Sequence, residues 1–459
     1  MPKLICIILL FVFASGCRPK AEETSSKRED LPDMLATKEL RVLTLYSSTS
    51  YFLYRGEEMG YEFELARRFA LSQGLHIKVI VAENTSKLIE MLEKGEGDIV
   101  AYTLPVTNEL RQRLIYCGEE IITQQVLVQQ RNDKEKIIKD VTELIGKDIY
   151  VEHNSKFDDR ITHLNEELGG GINIHKINKD TVTNEDLIGM VATGEIPYTL
   201  ADDNIARLNK TYYSNINISL KISFPQRSSW AVRKNSPLLA EAVDKWFDEN
   251  HNSTAYKSIL KRYFENSKRP HTKKILSLSK GQISIYDPLF KKYAKELDWD
   301  WRLIASQAYQ ESQFDTTAVS WAGAQGLMQL MPSTAKAYGL EIEKIKNPEA
   351  NLKAAIESMK ALNKSFAKIE DRDERIKFIL AAYNSGIGHI YDAMALAKKY
   401  NKNPLVWNNN VAEFVLLKSN SEFFNDSICK FGYLRGRETV NYVKEVLDYY
   451  DEYKSKIKQ

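Results

Sequence analysis

"GYEFELARRFALSQGLHIKVIVAENTSKLIEMLEKGEGDIVAYT" (residues 60–103) alternates two kinds of periodicity, and the alternation decides how the amino-terminal half folds. In 61–74 the apolar Phe63, Ala66, Phe69 and Ala70 recur at spacings of three and four, which places them on one helical face. Gly74 supplies the stop. "HIKVIVA" (76–82) is rich in β-branched residues and reads as a strand. "TSKLIEMLEKGEG" (85–97) returns to helical spacing, and "DIVAYT" (98–103) is a strand again. Upstream, "LRVLTLY" (40–46) is one more strand. Strand, helix and strand in succession predict a parallel sheet with crossover helices, whose ligands gather at the carboxyl ends of the strands.

The chain begins "MPKLICIILLFVFASGC": one Lys, an apolar run of about ten residues, then small residues, the pattern of a secretory signal rather than a membrane span. Ala14-Ser15-Gly16-Cys17 resembles a bacterial lipoprotein cleavage box, although Ala14 stands where Leu is usual. The resemblance implies that residues 1–16 are removed and that Cys17 is acylated. Residues 17–36, polar and charged, would then be a tether on the periplasmic side of the outer membrane. The alternative is a plain signal peptide with a chance cysteine. No later stretch is apolar enough to cross a bilayer.

A length of 459 residues leaves room for two or three domains with their own cores. Hydrophobic residues at 43% and charged residues at 27% are ordinary for folded protein, and a net charge of +2 argues against dedicated nucleic-acid binding. Of four cysteines, Cys6 and Cys17 belong to the export segment, so Cys117 and Cys429 are expected as separate buried thiols. The seven His show no metal-ligand spacing, and neither a metal nor another cofactor is expected.

The amino-terminal pattern resembles the family 3 periplasmic solute-binding proteins over residues 37–266. "LRVLTLY", "GYEFELARRFA", "LEKGEGDIVAYTLPVTNELRQR" and "SSWAVRKNSPLLAEAVDKWFDE" (228–249) carry the likeness. It implies two α/β lobes joined by two crossings, expected near 123–130 and 228–234. It also implies an amino-acid or muropeptide ligand, with Arg111 forked onto a carboxylate and Asp202 meeting an amine. The family's Thr-x-x-Arg spacing is lengthened here to Thr107-x-x-x-Arg111, and a solvent-exposed helix residue is the alternative reading of Arg111.

Residues 267–282, basic and polar, read as a linker, after which β signals fade. The expected architecture is therefore a two-lobed α/β domain followed by a mainly α domain over 283–459. Helices are predicted over 300–312, 347–366 with Asn347 as cap, 373–386 and 438–453. On the first, Trp301, Ile304, Ala305 and Ala308 recur at spacings of three and four, and Glu311 continues the row. A carboxyl on an apolar stripe is partly desolvated, which raises its pKa and keeps the proton on, as a general acid requires. The alternative is a glutamate at a helix end, turned to water. Gly323 and Gly326 would admit a bulky ligand close to the backbone, Gln329 offers donor and acceptor, and Tyr383 shares a face with Ile376, Ile379 and Leu380, beside Asn384.

Together these residues resemble the lytic murein transglycosylases of glycoside hydrolase family 23, with their lysozyme-like fold. Glu311-Ser312, Gly326-Leu-Met328-Gln329, Ala382-Tyr383-Asn384 and Tyr442 in "ETVNYV" match the family's four motifs, and Ser320 matches the serine near the acid. A solute-binding-like domain in front resembles the membrane-bound, two-domain members. The resemblance implies a lyase acting on peptidoglycan strands. Glu311 would be the single acid and then base, and Ser312, Ser320, Gly326, Met328, Gln329, Tyr383, Asn384 and Tyr442 would line the sugar site. In that chemistry the 6-hydroxyl of N-acetylmuramic acid attacks its own anomeric carbon, so one carboxylate suffices. Two rivals stand beside it. One is a lysozyme-type hydrolase using Asp315, four residues after Glu311, as a second carboxylate. The other is a solute receptor with a non-catalytic appendage.

Overall fold

The computed structural model describes residues 29–131, 137–177, 183–266 and 281–457. Cys17 and nearly all of the expected linker lie outside the described residues. Twelve strands are described: β1 (Glu39–Leu45), β2 (Phe52–Tyr54), β3 (Glu57–Met59), β4 (His76–Ala82), β5 (Ile99–Pro105), β6 (Leu114–Thr123), β7 (Gln125–Gln130), β8 (Asp148–Glu152), β9 (Asn173–Ile177), β10 (Tyr198–Asp202), β11 (Ile216–Asn217) and β12 (Gln226–Arg233). One lobe is built on the sheet β4-β1-β5-β12-β6, the other on β11-β7-β10-β8-β9. β1 runs parallel to β4, from Glu39 opposite His76 to Leu45 opposite Ala82, and parallel to β5. Leu40, Val42, Leu43 and Thr44 of β1 are all buried, as in a strand covered on both faces.

Two expectations need correction. The sheets are mixed, because β12 runs antiparallel to β5 and β6, and β7 runs antiparallel to β10. The second crossing also lies earlier than 228–234. The chain is still paired with the second lobe at Leu220, whose carbonyl accepts from Leu127, and it joins the first sheet at Gln226. "SSWAVRK" is thus almost wholly interior strand of the first lobe. Its alternation looks the same in a crossing and in a sheet, so sequence pattern alone does not separate them. The first crossing, between Thr123 and Gln125, falls where it is expected.

The carboxy-terminal part is helical. Asp300 caps the helix Trp301–Ser312 by accepting from Arg302, and Asn347 caps Pro348–Ser365 by accepting from Ala350. Arg372–Ser385 stops at Gly386, and Gly436–Lys456 closes the domain. Trp301, Ile304, Ala305 and Ala308 are buried in one core with Leu327, Met328, Ile379, Leu380 and Val446. Each fully buried Leu or Ile contributes about 1.5–3 kcal/mol relative to an exposed one.

The two domains also share a core. Trp321 lies against the rings of Phe52, Tyr54 and Tyr263, and Phe424 and Tyr433 are buried with residues of the first lobe. The element that crosses over is the hairpin β2–β3. Tyr54 pairs with Glu57, which leaves Arg55 and Gly56 as a two-residue turn with φ of 51° and 82°. Two positive φ values suit the right-handed twist of a hairpin. Arg55 N–H donates to the carbonyl of Ser385 (3.2 Å), and His389 Nε2 donates to that of Leu53 (3.0 Å). Burial holds His389 down to about 3, so this tie is made by a neutral ring.

Candidate active site

Glu311 occupies the last turn of its helix, and its side chain is 3% exposed. The apolar row behind it places it there, because helical periodicity carries residue 311 inward with 304 and 308. Burial pushes its carboxyl above the ordinary value, while Arg55 and the Tyr442 hydrogen bond pull against the rise. Tyr442 Oη donates to Glu311 Oε1 at 2.7 Å. That hydroxyl comes from the C-terminal helix, 131 residues away in sequence, so two helices define one side of the acid.

Arg55 defines the other side. Its Nη2 donates to Oε2 at 3.0 Å and to Oε1 at 3.4 Å, and its Nη1 donates to the carbonyl of Gln329 at 2.7 Å. The guanidinium carbon lies 5.6 Å from the centre of the Tyr54 ring and 5.8 Å from that of Tyr383. Its side chain is only 10% exposed. A cavity of about 30 Å³, room for about one water, separates this hairpin from Asn384, Glu438 and Thr439, so the fit between the domains is close.

The remaining predicted residues divide into two groups. Tyr383 stands beside the acid, its ring fixed by a hydrogen bond from Oη to the Met328 carbonyl (2.7 Å). Asn384 lines the adjoining cavity and accepts from Thr439 at 2.9 Å. The others shape the loop 313–331. Ser312 Oγ donates to the Leu327 carbonyl (2.8 Å), and Ser320 Oγ accepts from the Ala324 N–H (2.9 Å). Gln329 Nε2 donates to the carbonyls of Gly326 (2.9 Å) and Ala318 (3.1 Å), which leaves its backbone carbonyl to face Arg55. Met328 is fully buried, with its N–H donated to Asn351 Oδ1 at 2.8 Å.

Gly326 corrects the expectation attached to it. A Cβ there would lie 2.5 Å from both Asn351 Nδ2 and the Ile345 carbonyl, at φ +82°. The space a side chain would need there is filled by protein. Asp315 is exposed and accepts from Thr317 N–H (2.8 Å) and Oγ1 (2.7 Å). The helix has ended at Ser312, so the neighbour geometry that a second carboxylate needed is absent.

In the first domain the two predicted ligand residues stand on different lobes, Arg111 between β5 and β6 and Asp202 in β10. Arg111 is exposed in the last turn of the short helix Asn108–Arg113, whose cap, Thr107, accepts from Leu110 at 3.2 Å. Asp202 ends β10 and is ion-paired with Lys156. Among the described residues no hydrogen bond or ion pair joins Arg111 to Asp202. Cys117 is a buried free thiol, as expected, whereas Cys429 is only half-buried.

Arg55 is the residue that sequence reasoning missed. "LYRGEE" carries the sign of a tight hairpin in its Arg-Gly pair. Nothing local, however, joins that tip to a carboxylate 256 residues downstream.

Residues 40–266 match the family model for bacterial extracellular solute-binding proteins, family 3, and residues 288–406 match that for the transglycosylase SLT domain. A membrane-bound lytic murein transglycosylase F from Desulfosudis oleivorans is 32% identical over 418 residues, 90% of each chain. One from Aeromonas hydrophila is 31% identical, covering 90% of this chain and 81% of its own. Among solved structures, an ancestral cationic amino acid solute binding protein covers 51% of this chain and 99% of its own, at 18% identity and a TM-score of 0.44. With identity above three residues in ten along nine-tenths of its length, the chain belongs to the membrane-bound lytic murein transglycosylase F family.

Proposed function

We propose that Glu311 performs both proton transfers of lytic cleavage in this transglycosylase. Its protonated carboxyl gives a proton to the glycosidic oxygen between N-acetylmuramic acid and N-acetylglucosamine. The carboxylate left behind takes the proton of the 6-hydroxyl on the same muramic acid as that oxygen closes on the anomeric carbon. The bond to the leaving sugar breaks, a 1,6-anhydro ring forms, and no water is consumed. Tethering the nucleophile to its own electrophile gives the large effective concentration of an intramolecular reaction. One observation carries the reading: a nearly inaccessible Glu311, its pKa raised by burial, with Tyr442 on one oxygen and Asp315 engaged elsewhere. Mass spectrometry of digested peptidoglycan tests it. Products one water lighter than reducing muropeptides are expected, and reducing ends alone would favour the hydrolase.

The amino-terminal domain regulates that acid. Support comes from Arg55, a residue of the first lobe, holding both carboxylate oxygens. Burial still leaves the carboxyl above its ordinary value, but Arg55 pulls against that rise and favours the charged form over the one that gives the proton. A ligand between the lobes releases the hairpin only if it binds the released arrangement better. The proposed ligand is an amino-acid-bearing cell-wall fragment, with Arg111 toward its carboxylate and Asp202, freed from Lys156, toward its amine. Added muropeptide should then raise the rate of anhydro-product release. A rate unmoved by a muropeptide that demonstrably binds would leave the domain a passive spacer.

The site of action follows from the export segment. Acylation of Cys17 would hold the enzyme to the periplasmic side of the outer membrane, within reach of glycan strands. No helix among the described residues is long and apolar enough to cross a membrane. Cys17→Ala should therefore move the protein into the soluble envelope fraction.

A further inference from the structure

We infer that the pocket around Glu311 is a receptor for planar guanidinium cations, with Arg55 as its built-in occupant. The inference rests on the catalytic reading above for its electrostatics. Three recognition elements come from the helical domain alone: both oxygens of Glu311, the Gln329 carbonyl and the face of Tyr383. Tyr54, beside Arg55 itself, supplies a second ring. Carboxylate in front, carbonyl at the edge and aromatic faces alongside are what a flat, delocalised cation selects over a point charge.

The backbone points the same way. Arg55 sits at φ +51°, where glycine or asparagine is favoured and a long side chain is not. The turn therefore does not call for an arginine; the contacts of its guanidinium do. Buried Nε has no partner, so the pocket's hydrogen bonds are all made by the two terminal nitrogens. Those are the nitrogens a free guanidinium also offers. Glycoside cleavage passes through an oxocarbenium-like state, positive and planar at the anomeric carbon. A pocket that steadies that charge beside a carboxylate is already shaped for a small planar cation.

The test uses the full chain carrying Arg55→Gly, because glycine takes the left-handed turn position without strain. Methylguanidinium chloride should slow its release of anhydro-muropeptides about five-fold or more, at the millimolar concentration that the weak affinity of so small a ligand requires. Urea, a neutral planar analogue, and methylammonium, the same charge without the planar fork, should not. Calorimetry should show methylguanidinium binding to Arg55→Gly. It should show none to the wild type, whose pocket is filled, or to Arg55→Gly combined with Glu311→Gln. Arg55→Ala serves if circular dichroism shows Arg55→Gly unfolded. A folded variant that releases product but neither binds methylguanidinium nor is slowed by it overturns the receptor and leaves the chemistry standing. Equal effects of urea and methylguanidinium overturn it as well. Binding without any anhydro product from any variant would keep the receptor and remove the chemistry.

Discussion

The cleft around Glu311 and the cleft between the two lobes differ in how completely their parts converge. At Glu311, side chains from the acid helix, the C-terminal helix, the helix Arg372–Ser385 and a hairpin of the other domain meet within hydrogen-bond or ring-contact distance. Between the lobes, Arg111 faces solvent and Asp202 is held by Lys156. The contrast follows from what positions each residue. A helix buried on one stripe fixes the direction of every side chain along it, so Glu311 and Tyr442 are aimed before any substrate arrives. Residues on two hinged lobes meet only at one interlobe angle, and their geometry belongs to a state rather than to an element.

The largest expected effect breaks the first cleft outright. Glu311→Gln keeps the shape of the side chain but cannot deliver a proton, and general acid–base catalysis contributes about 10²–10⁴-fold. Release of anhydro-muropeptides should fall by about 10³-fold or more, while Asp315→Asn stays within about two-fold because its carboxylate is exposed and accepts from the Thr317 turn. If the two variants lose equal activity, the single-acid mechanism is wrong.

Tyr442→Phe sharpens the same comparison with a smaller change. It removes the hydroxyl on Glu311 Oε1, a bond that lowers the carboxyl's pKa against the rise caused by burial. Without it the folded pKa climbs further. Glu311 then stays protonated to higher pH, and the alkaline limb of the pH–rate profile shifts upward. The maximal rate should nonetheless fall, by about 10–100-fold, since one buried, charge-assisted hydrogen bond that orients the acid is lost. A pH–rate profile of the purified variant reads both effects, and a limb that moves downward would contradict the assignment.

The first lobe holds a buried carboxyl with a different consequence. Burial raises Glu62 from an ordinary 4.5 to about 7, against the pull of the Trp230 Nε1–H donor at 2.6 Å. In the unfolded chain Glu62 ionises first, so the native state holds more protons across that interval. Stability should therefore fall as pH rises from about 4.5 through about 7, by up to about 3 kcal/mol. Glu62→Gln should remove that slope from the melting temperature of the first domain followed against pH. Here a raised carboxyl affects stability, whereas at Glu311 the same physics prepares an acid.

Much of this contrast was legible in the residues themselves. Asn347 and Gly386 punctuate helices where a side chain or the lack of one requires it, and the row 301-304-305-308-311 correctly sends Glu311 inward. Short motifs say which residues gather near the acid and not which of their atoms hold the protein together. Ser312 ends the acid helix and Ser320 and Gly326 lie in the loop after it, where Ser312 donates to the Leu327 carbonyl, Ser320 accepts from the Ala324 amide and Gly326 packs on Asn351. Spacing along a chain encodes which residues share an element and says little about which of their atoms remain free. Arg55 was illegible for a related reason. Its role depends on docking between domains, and a two-residue turn looks the same in any hairpin.

The smallest expected effect concerns the cleft between the lobes, and it decides whether that cleft acts on the other. If a muropeptide closes the lobes, Asp202 must exchange Lys156 for the ligand's amine, and Arg111 must leave solvent for its carboxylate. Stimulation by ligand is then a coupling free energy, typically 1–3 kcal/mol, or about five-fold upward in rate where the released state is the competent one. Arg111→Ala should bring the ratio of stimulated to unstimulated rate down to about one by removing the fork that holds the ligand's carboxylate. Arg55→Gly should bring the ratio to about one by a different route, raising the unstimulated rate because no hairpin guanidinium remains to be withdrawn. The two variants thus share a ratio and differ in their absolute rates, which a single progress-curve experiment with and without muropeptide distinguishes. If Arg111→Ala keeps its full stimulation, the ligand is read by other residues. If Arg55→Gly keeps its own, the hairpin is not what the lobes move, and the two clefts work independently.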